Sequence, residues 1–203
     1  MEMFQISRCP APAAPEDGRT PGQCVDARVG ACCILLVRPF LSWPTGRVKT
    51  LPHTLGCFVC GEANPAGLKL RFETDGRRVQ TRFVPQAQHV GFRGTIHGGI
   101  ISTVLDETMV WACVVQTRRF AYCAELTVRF VNPVPPGQEV TAVGELVSNR
   151  RDRIYEAKGE LKTEAGLVLA AATGKYIPLK SANLREMLTD FVGDPNWLLG
   201  AEA

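Results

Sequence analysis

The chain has 203 residues, 45% hydrophobic and 21% charged, which is the make-up of a globular protein able to bury one core, with a tail to spare. A formal charge of +3 gives no sign of a nucleic-acid partner and leaves room for an anionic small ligand. No apolar run approaches the roughly 18–20 residues of a membrane span, and Arg38 interrupts the most apolar early stretch, Ala31 to Trp43.

Residues 1–47 are rich in Pro, Ala, Gly and Arg and show no sustained period. Pro10, Pro12, Pro15 and Pro21 break any early element, so this segment is expected to be disordered or non-native, with a short element over Cys32 to Leu41. A start at Val48 would fit the change of texture that follows. The eight cysteines include Cys9, Cys24, Cys32 and Cys33 in this segment. Without an export signal they are expected to stay reduced, in a cytoplasmic protein.

From Leu51 onward the pattern becomes regular. Cys57-Phe58-Val59-Cys60-Gly61 and Asn64-Pro65-Ala66-Gly67 read as tight turns. Leu68, Leu70 and Phe72 alternate with charged residues, which predicts a strand to Glu73. Asp75-Gly76 then turns the chain into a return strand, Arg78 to Val84. After a loop with His89, Gly91 and Gly94 comes a helix from about Gly98 to Gln116, apolar round most of its circumference and so buried. Ser102, Thr103 and Asp106 make one polar stripe along it. Glu107 lies about 100° away and reads as a solvated or interface charge. Four strands follow: Ala124 to Phe130, Glu139 to Asn149, Ile154 to Lys162 and Leu167 to Ile177. Residues 181–203 read as a short amphipathic helix and tail.

One helix among antiparallel strands in the order β-β-α-β-β-β-β is an α+β arrangement. Gly94-Thr95-Ile96-His97-Gly98-Gly99 opens the helix and Asp106 follows nine residues after the histidine. A helix start offers free N–H groups to developing negative charge. A carboxylate on a buried helix needs a partner or a task.

Three groups of residues resemble the PaaI-like branch of the hotdog-fold acyl-CoA thioesterases, over about residues 50–180. They are Cys57-x-x-Cys60-Gly61 with Asn64-Pro65-x-Gly67-Leu68; Gly94-x-x-His97-Gly98-Gly99 with Asp106; and Ala124-Glu125-Leu126-Thr127-Val128-Arg129-Phe130 with Pro133-x-Pro135. The resemblance implies a hotdog domain over residues 48–180, a curved antiparallel sheet of about six strands around one long helix. It implies a dimer or dimer of dimers, an acyl-CoA substrate, and hydrolysis without cofactor or metal. It assigns the oxyanion amide to Gly98, the base or nucleophile to Asp106, and a shaping role to His97. Gly99, Gly91, Cys123 and Arg129 are the implied substrate-side residues.

Gly98 and Asp106 are eight residues apart, roughly 12 Å along a helix at about 1.5 Å per residue. Both must reach one carbonyl, so the spacing points to a site shared between two antiparallel helices. Two positions depart from the resemblance. Gly91 stands where relatives often carry a polar side chain, with Gln86 and Gln88 nearby to hold a water, and Cys123 stands where they often carry Ser or Thr. These departures are the best support for the rival expectation, an acyl-CoA-binding module without catalysis. A hydratase would need Asp and His in one segment of a single subunit, and no such pattern is present. Cys57, Cys60 and His53 could begin a zinc site or a redox pair, but zinc needs four ligands and no second Cys-x-x-Cys exists, so a structural turn is expected.

Overall fold

A computed structural model describes residues 48–199. The 1–47 extension, its four cysteines and the expected element at 32–41 lie outside the described residues, as do residues 200–203. In chain order the elements are β1 (Lys49–Thr50), β2 (His53–Thr54), β3 (Glu73–Thr74), β4 (Arg78–Phe83), α1 (Gly98–Thr117), β5 (Ala121–Phe130), β6 (Val140–Arg150), β7 (Ile154–Thr163), β8 (Val168–Pro178), α2 (Ser181–Leu188) and β9 (Phe191–Val192).

α1 begins where the sequence places it. His97 keeps an extended backbone (φ −60°, ψ 131°), and its Nδ1 accepts the Gly99 amide at 2.9 Å, a side-chain N-cap. The helix ends at Arg118, left-handed at φ 60°, whose amide closes onto the Val114 carbonyl. Ile101, Val104, Leu105, Met109 and the run from Trp111 to Val115 are buried.

By length and composition α1 could cross a membrane, which corrects the expectation that no run approaches that length. Its apolarity has another use here, since it packs on β4, β5, β6, β7 and β8. Gly144 and Gly159 are register partners on β6 and β7 and let it come close. A Cβ on the first would sit 2.9 Å from the Thr108 carbonyl oxygen, and one on the second 3.1 Å from Met109 Cγ.

The main sheet is antiparallel throughout, ordered β1-β3-β4-β6-β7-β8-β5, so β5 ends it with an outer edge unpaired among the described residues. Seven strands replace the expected six because the two-residue β1 adds to β3 at the far edge. β3 comes from the predicted strand at 68–73, of which only Glu73–Thr74 pairs. Lys69 takes a left-handed φ of 55°, which breaks the ladder. The backbone there bonds to the cysteine turn instead, through Leu68 N to Phe58 O and Leu70 N to Val59 O. The apolar alternation still holds for burial, with Leu70 and Phe72 in the core.

After α2 the chain returns, and β9 pairs with β2 in a separate two-stranded sheet. Leu55 N bonds to Asp190 O, and Phe191 packs on Trp111 and Phe120. This return closes one wall of a cavity beside α1.

Candidate active site

Two groups of polar atoms lie along α1, two turns apart. The first is at its N-terminus. His97 Nδ1 takes the Gly99 amide, and the Ile100 and Ile101 amides bond back to the His97 carbonyl. The Gly98 N–H donates to nothing among the described residues, as the first turn of a helix allows. The ring of Phe130 lies over Gly98, where a Cβ would meet Phe130 Cζ at 3.1 Å. Gly91 backs onto the histidine, and a Cβ there would lie 3.0 Å from His97 Cδ2. The glycine at 91 therefore leaves room for His97. Gln86 does not point a free amide into this space, because its Nε2 donates to the Val84 carbonyl and its own amide donates to His89 Nδ1.

The second group centres on Asp106. Tyr176, fully buried on β8, donates its hydroxyl to Asp106 Oδ1 at 3.0 Å. Gly174, two residues earlier on the same strand face, makes space for that phenol, since a Cβ there would lie 2.7 Å from the Tyr176 hydroxyl. The Cys123 thiol lines the same cavity beside Asp106. Burial and the Asp106 charge push the Cys123 thiol up to about 12, and the same causes push the Tyr176 phenol up. Both stay neutral near pH 7, and the Tyr176 hydroxyl serves as a donor to the carboxylate. Sequence reasoning found Asp106 and Cys123 but missed Tyr176. Its one trace in the sequence is a glycine two residues before a tyrosine on one strand face.

Asp106 and Cys123 line a cavity of about 330 Å³ together with Thr54, Cys57, Cys60, Glu107, Trp111 and the C-terminal Met187 and Phe191. Glu107 is therefore half-buried on the wall of this cavity rather than fully solvated. The chain's C-terminal return covers that face of α1, and burial pushes the Glu107 carboxyl up to about 8. Arg129 is exposed on β5 and makes no ion pair among the described residues, whereas Arg150 pairs with Glu156 at 2.8 Å. Within one chain the structure brings Asp106, Cys123 and Tyr176 together. It keeps His97, Gly98, Gly99 and Gly91 as a separate group at the helix start.

Comparison with known proteins is consistent with this architecture. The thioesterase superfamily model matches residues 93–169. A solved thioesterase superfamily protein is 24% identical, with 59% of this chain and 58% of that one covered and a TM-score of 0.54. The PaaI protein of the E. coli phenylacetic acid degradation operon is 19% identical, with 56% and 81% covered and a TM-score of 0.51. Zebrafish thioesterase superfamily member 2 is 19% identical, with 55% and 82% covered and a TM-score of 0.50. The chain thus spans less than two thirds of the first of these and about four fifths of the other two. No curated protein matches. The fold is the hotdog fold, a long helix packed on an antiparallel sheet.

Proposed function

We propose that this chain, whose residues 93–169 match the thioesterase superfamily model, hydrolyses acyl-CoA thioesters to free acid and CoA in sites built by two copies together. The observation that carries this reading is the pair on α1: an unbonded Gly98 amide at the helix start, and an Asp106 carboxylate oriented by Tyr176 two turns later. Asp106 takes a proton from water as the water oxygen attacks the thioester carbon, or attacks that carbon itself. The carbonyl oxygen gains negative charge and meets the Gly98 N–H, whose helix dipole adds to the attraction. The C–S bond breaks and CoA leaves as thiolate and takes up a proton; the acid departs directly on the water route, and on the other route after water hydrolyses the Asp106–acyl anhydride and frees the carboxylate.

The two groups lie roughly 12 Å apart along the helix, at about 1.5 Å per residue, too far for one carbonyl. A second copy supplies the missing half if its α1 runs antiparallel, with Gly98 of one chain facing Asp106 of the other. The free edge at β5, the strand next to the helix start, gives such a partner a place to pair. His97 shapes the entrance. Gly99, Gly91, Cys123 and Arg129 stay on the substrate side of the proposal, and the PaaI-like branch rests on the motifs quoted above. The reaction is placed in the cytoplasm, where the thiols are expected to remain reduced.

One observation favours a binding module instead. A thiol, Cys123, stands in the cavity beside Asp106 where a hydroxyl would hold the attacking water better. Replacing Asp106→Asn separates the two readings. The variant keeps the oligomer and loses at least ~100-fold in thiol release if Asp106 is the base. Unchanged turnover across a panel of acyl-CoAs overturns the role. A wild-type protein that binds acyl-CoA without releasing thiol supports the module.

A further inference from the structure

The catalytic reading leaves a cluster on the other side of the cavity unused. Cys57, Cys60 and Glu107 converge there, with one ligand atom from each within 4.8 Å of the others. We propose that these three residues bind a divalent, thiophilic cation, zinc foremost, beside the pocket that holds Asp106.

The turn presents its sulfurs in the manner of a metal knuckle. Gly61 N closes onto Cys57 O at 2.9 Å, and Val59 N points at Cys57 Sγ at 3.2 Å. Only glycine closes this turn, because a Cβ at position 61 would lie 2.3 Å from the Cys57 carbonyl oxygen. The third ligand comes from α1, forty-seven residues after Cys60. This explains why cysteine spacing alone does not disclose it. Zinc bonds of about 2.3 Å to sulfur and about 2.0–2.2 Å to oxygen put ligand atoms roughly 3.5–3.8 Å apart, so the three need to close by about 1 Å.

Charge argues in the same direction. The groups acting on Glu107 are Cys57, Asp106, Trp111 and Cys60, and none is basic. Those acting on Cys57 and Cys60 are likewise thiol, hydroxyl, amide or carboxylate. The nearest guanidinium, Arg71, is turned to the Cys60 carbonyl at 2.8 Å and to Glu62, so no basic side chain pairs with the Glu107 carboxylate or either sulfur among the described residues, and a cation would supply that charge. The indole N–H of Trp111, one turn on from Glu107 and lining the same cavity, is buried with no hydrogen-bond partner among the described residues. A carboxylate bound to a metal through one oxygen would give that N–H the other oxygen, the usual outer support of a ligand. A disulfide switch of Cys57 with Cys60 would explain neither Glu107 nor the orphaned indole. His53 is not the fourth ligand, since its Nε2 is held by Glu62 at 2.9 Å. The fourth position is left to water from the cavity, the open arrangement of a three-ligand zinc site.

This inference does not rest on the hydrolase reading, because its readout is cation binding. The reduced, full-length chain is stripped with a chelator and titrated with Co²⁺ alone, then with Zn²⁺ against a chromophoric chelator. One cobalt binds per chain with thiolate-to-cobalt charge-transfer absorption, and one equivalent of zinc bleaches it. A variant with Cys9, Cys24, Cys32 and Cys33 all changed to Ser behaves as wild type, which also carries the test should the core variants fail to fold. Cys57→Ser abolishes the absorption, and Glu107→Gln weakens zinc by at least ~10-fold. No charge-transfer band in the wild type overturns the site. So does a signal lost with the four N-terminal serines, or a folded Glu107→Gln variant that binds as tightly as wild type.

Discussion

Gly98 offers its substrate an amide hydrogen and no side chain, so its contribution is tested by removing that hydrogen without disturbing the helix. Proline suits the first helical position, and the residue before it must be extended, as His97 already is at φ −60° and ψ 131°. Gly98→Ala adds the same Cβ against Phe130 but keeps the N–H, and so controls for crowding. Gly98→Pro is expected to lose ~10²–10³-fold in kcat relative to Gly98→Ala, with the helix content of both unchanged by circular dichroism. Equal turnover in the two folded variants would remove Gly98 from the mechanism. Tyr176 acts through Asp106 rather than on the substrate. Tyr176→Phe is expected to lower kcat by about tenfold, near 1.4 kcal/mol, with KM little changed. A rise in KM at constant kcat would give the phenol a binding role instead. The spacing of His97, Gly98 and Asp106 was legible because all three lie within ten residues of one helix. Tyr176 was not, because it reaches Asp106 from a strand seventy residues later.

Periodicity read the elements well where one element supplies its own hydrogen bonds or a long ladder does. α1 runs to Thr117 against a reading of about Gln116, and β6, β7 and β8 fall within a residue or so of their predicted ends. It failed at 68–73, where alternating burial is real but Lys69 turns left-handed and the cysteine turn takes the backbone. It also missed β9, since a two-residue pairing with β2 has no period. The β3–β4 hairpin shows what a correctly read turn contributes. Gly76 takes φ 90°, and Asp75 Oδ1 accepts the amides of Arg77 at 2.8 Å and Arg78 at 2.6 Å. Burial alone would raise the Asp75 carboxyl, but those amides and the Arg78 guanidinium outweigh it and hold the carboxyl below its ordinary value. A depressed carboxyl stabilises the fold above its ordinary pKa, and the contribution fades as pH falls through the folded value. Asp75→Asn is expected to cost about 1 kcal/mol at pH 7 by urea denaturation. The gap between variant and wild type should narrow steadily as the buffer is taken toward pH 3. A gap that stays constant with pH would mean the carboxylate charge is irrelevant to the turn.

At the scale of the whole molecule, the ten-residue strand β5 pairs with β8 on one side and ends the main sheet, its outer edge without a partner among the described residues. Tyr122 and Phe130 on it are 59% and 53% exposed, and a long apolar edge of this kind invites another strand. The proposed shared site turns that edge into a kinetic prediction. Asp106→Asn lacks the base but keeps the Gly98 amide, while Gly98→Pro lacks the amide but keeps the base. Each homodimer then has two dead sites. In a mixed dimer, one site receives Gly98 from the first variant and Asp106 from the second, and the other site receives neither. Random reassortment of an equal mixture makes half the dimers mixed, each with one intact site of two, so turnover should recover to about a quarter of wild type. Co-expression with two different affinity tags isolates the mixed species, which should carry about half of wild-type turnover per dimer by the same count. If purified mixed dimers are as inactive as their parents, Gly98 and Asp106 do not meet across a two-fold interface. The 12 Å helix spacing would then belong to two groups that never share a carbonyl, at about 1.5 Å per residue.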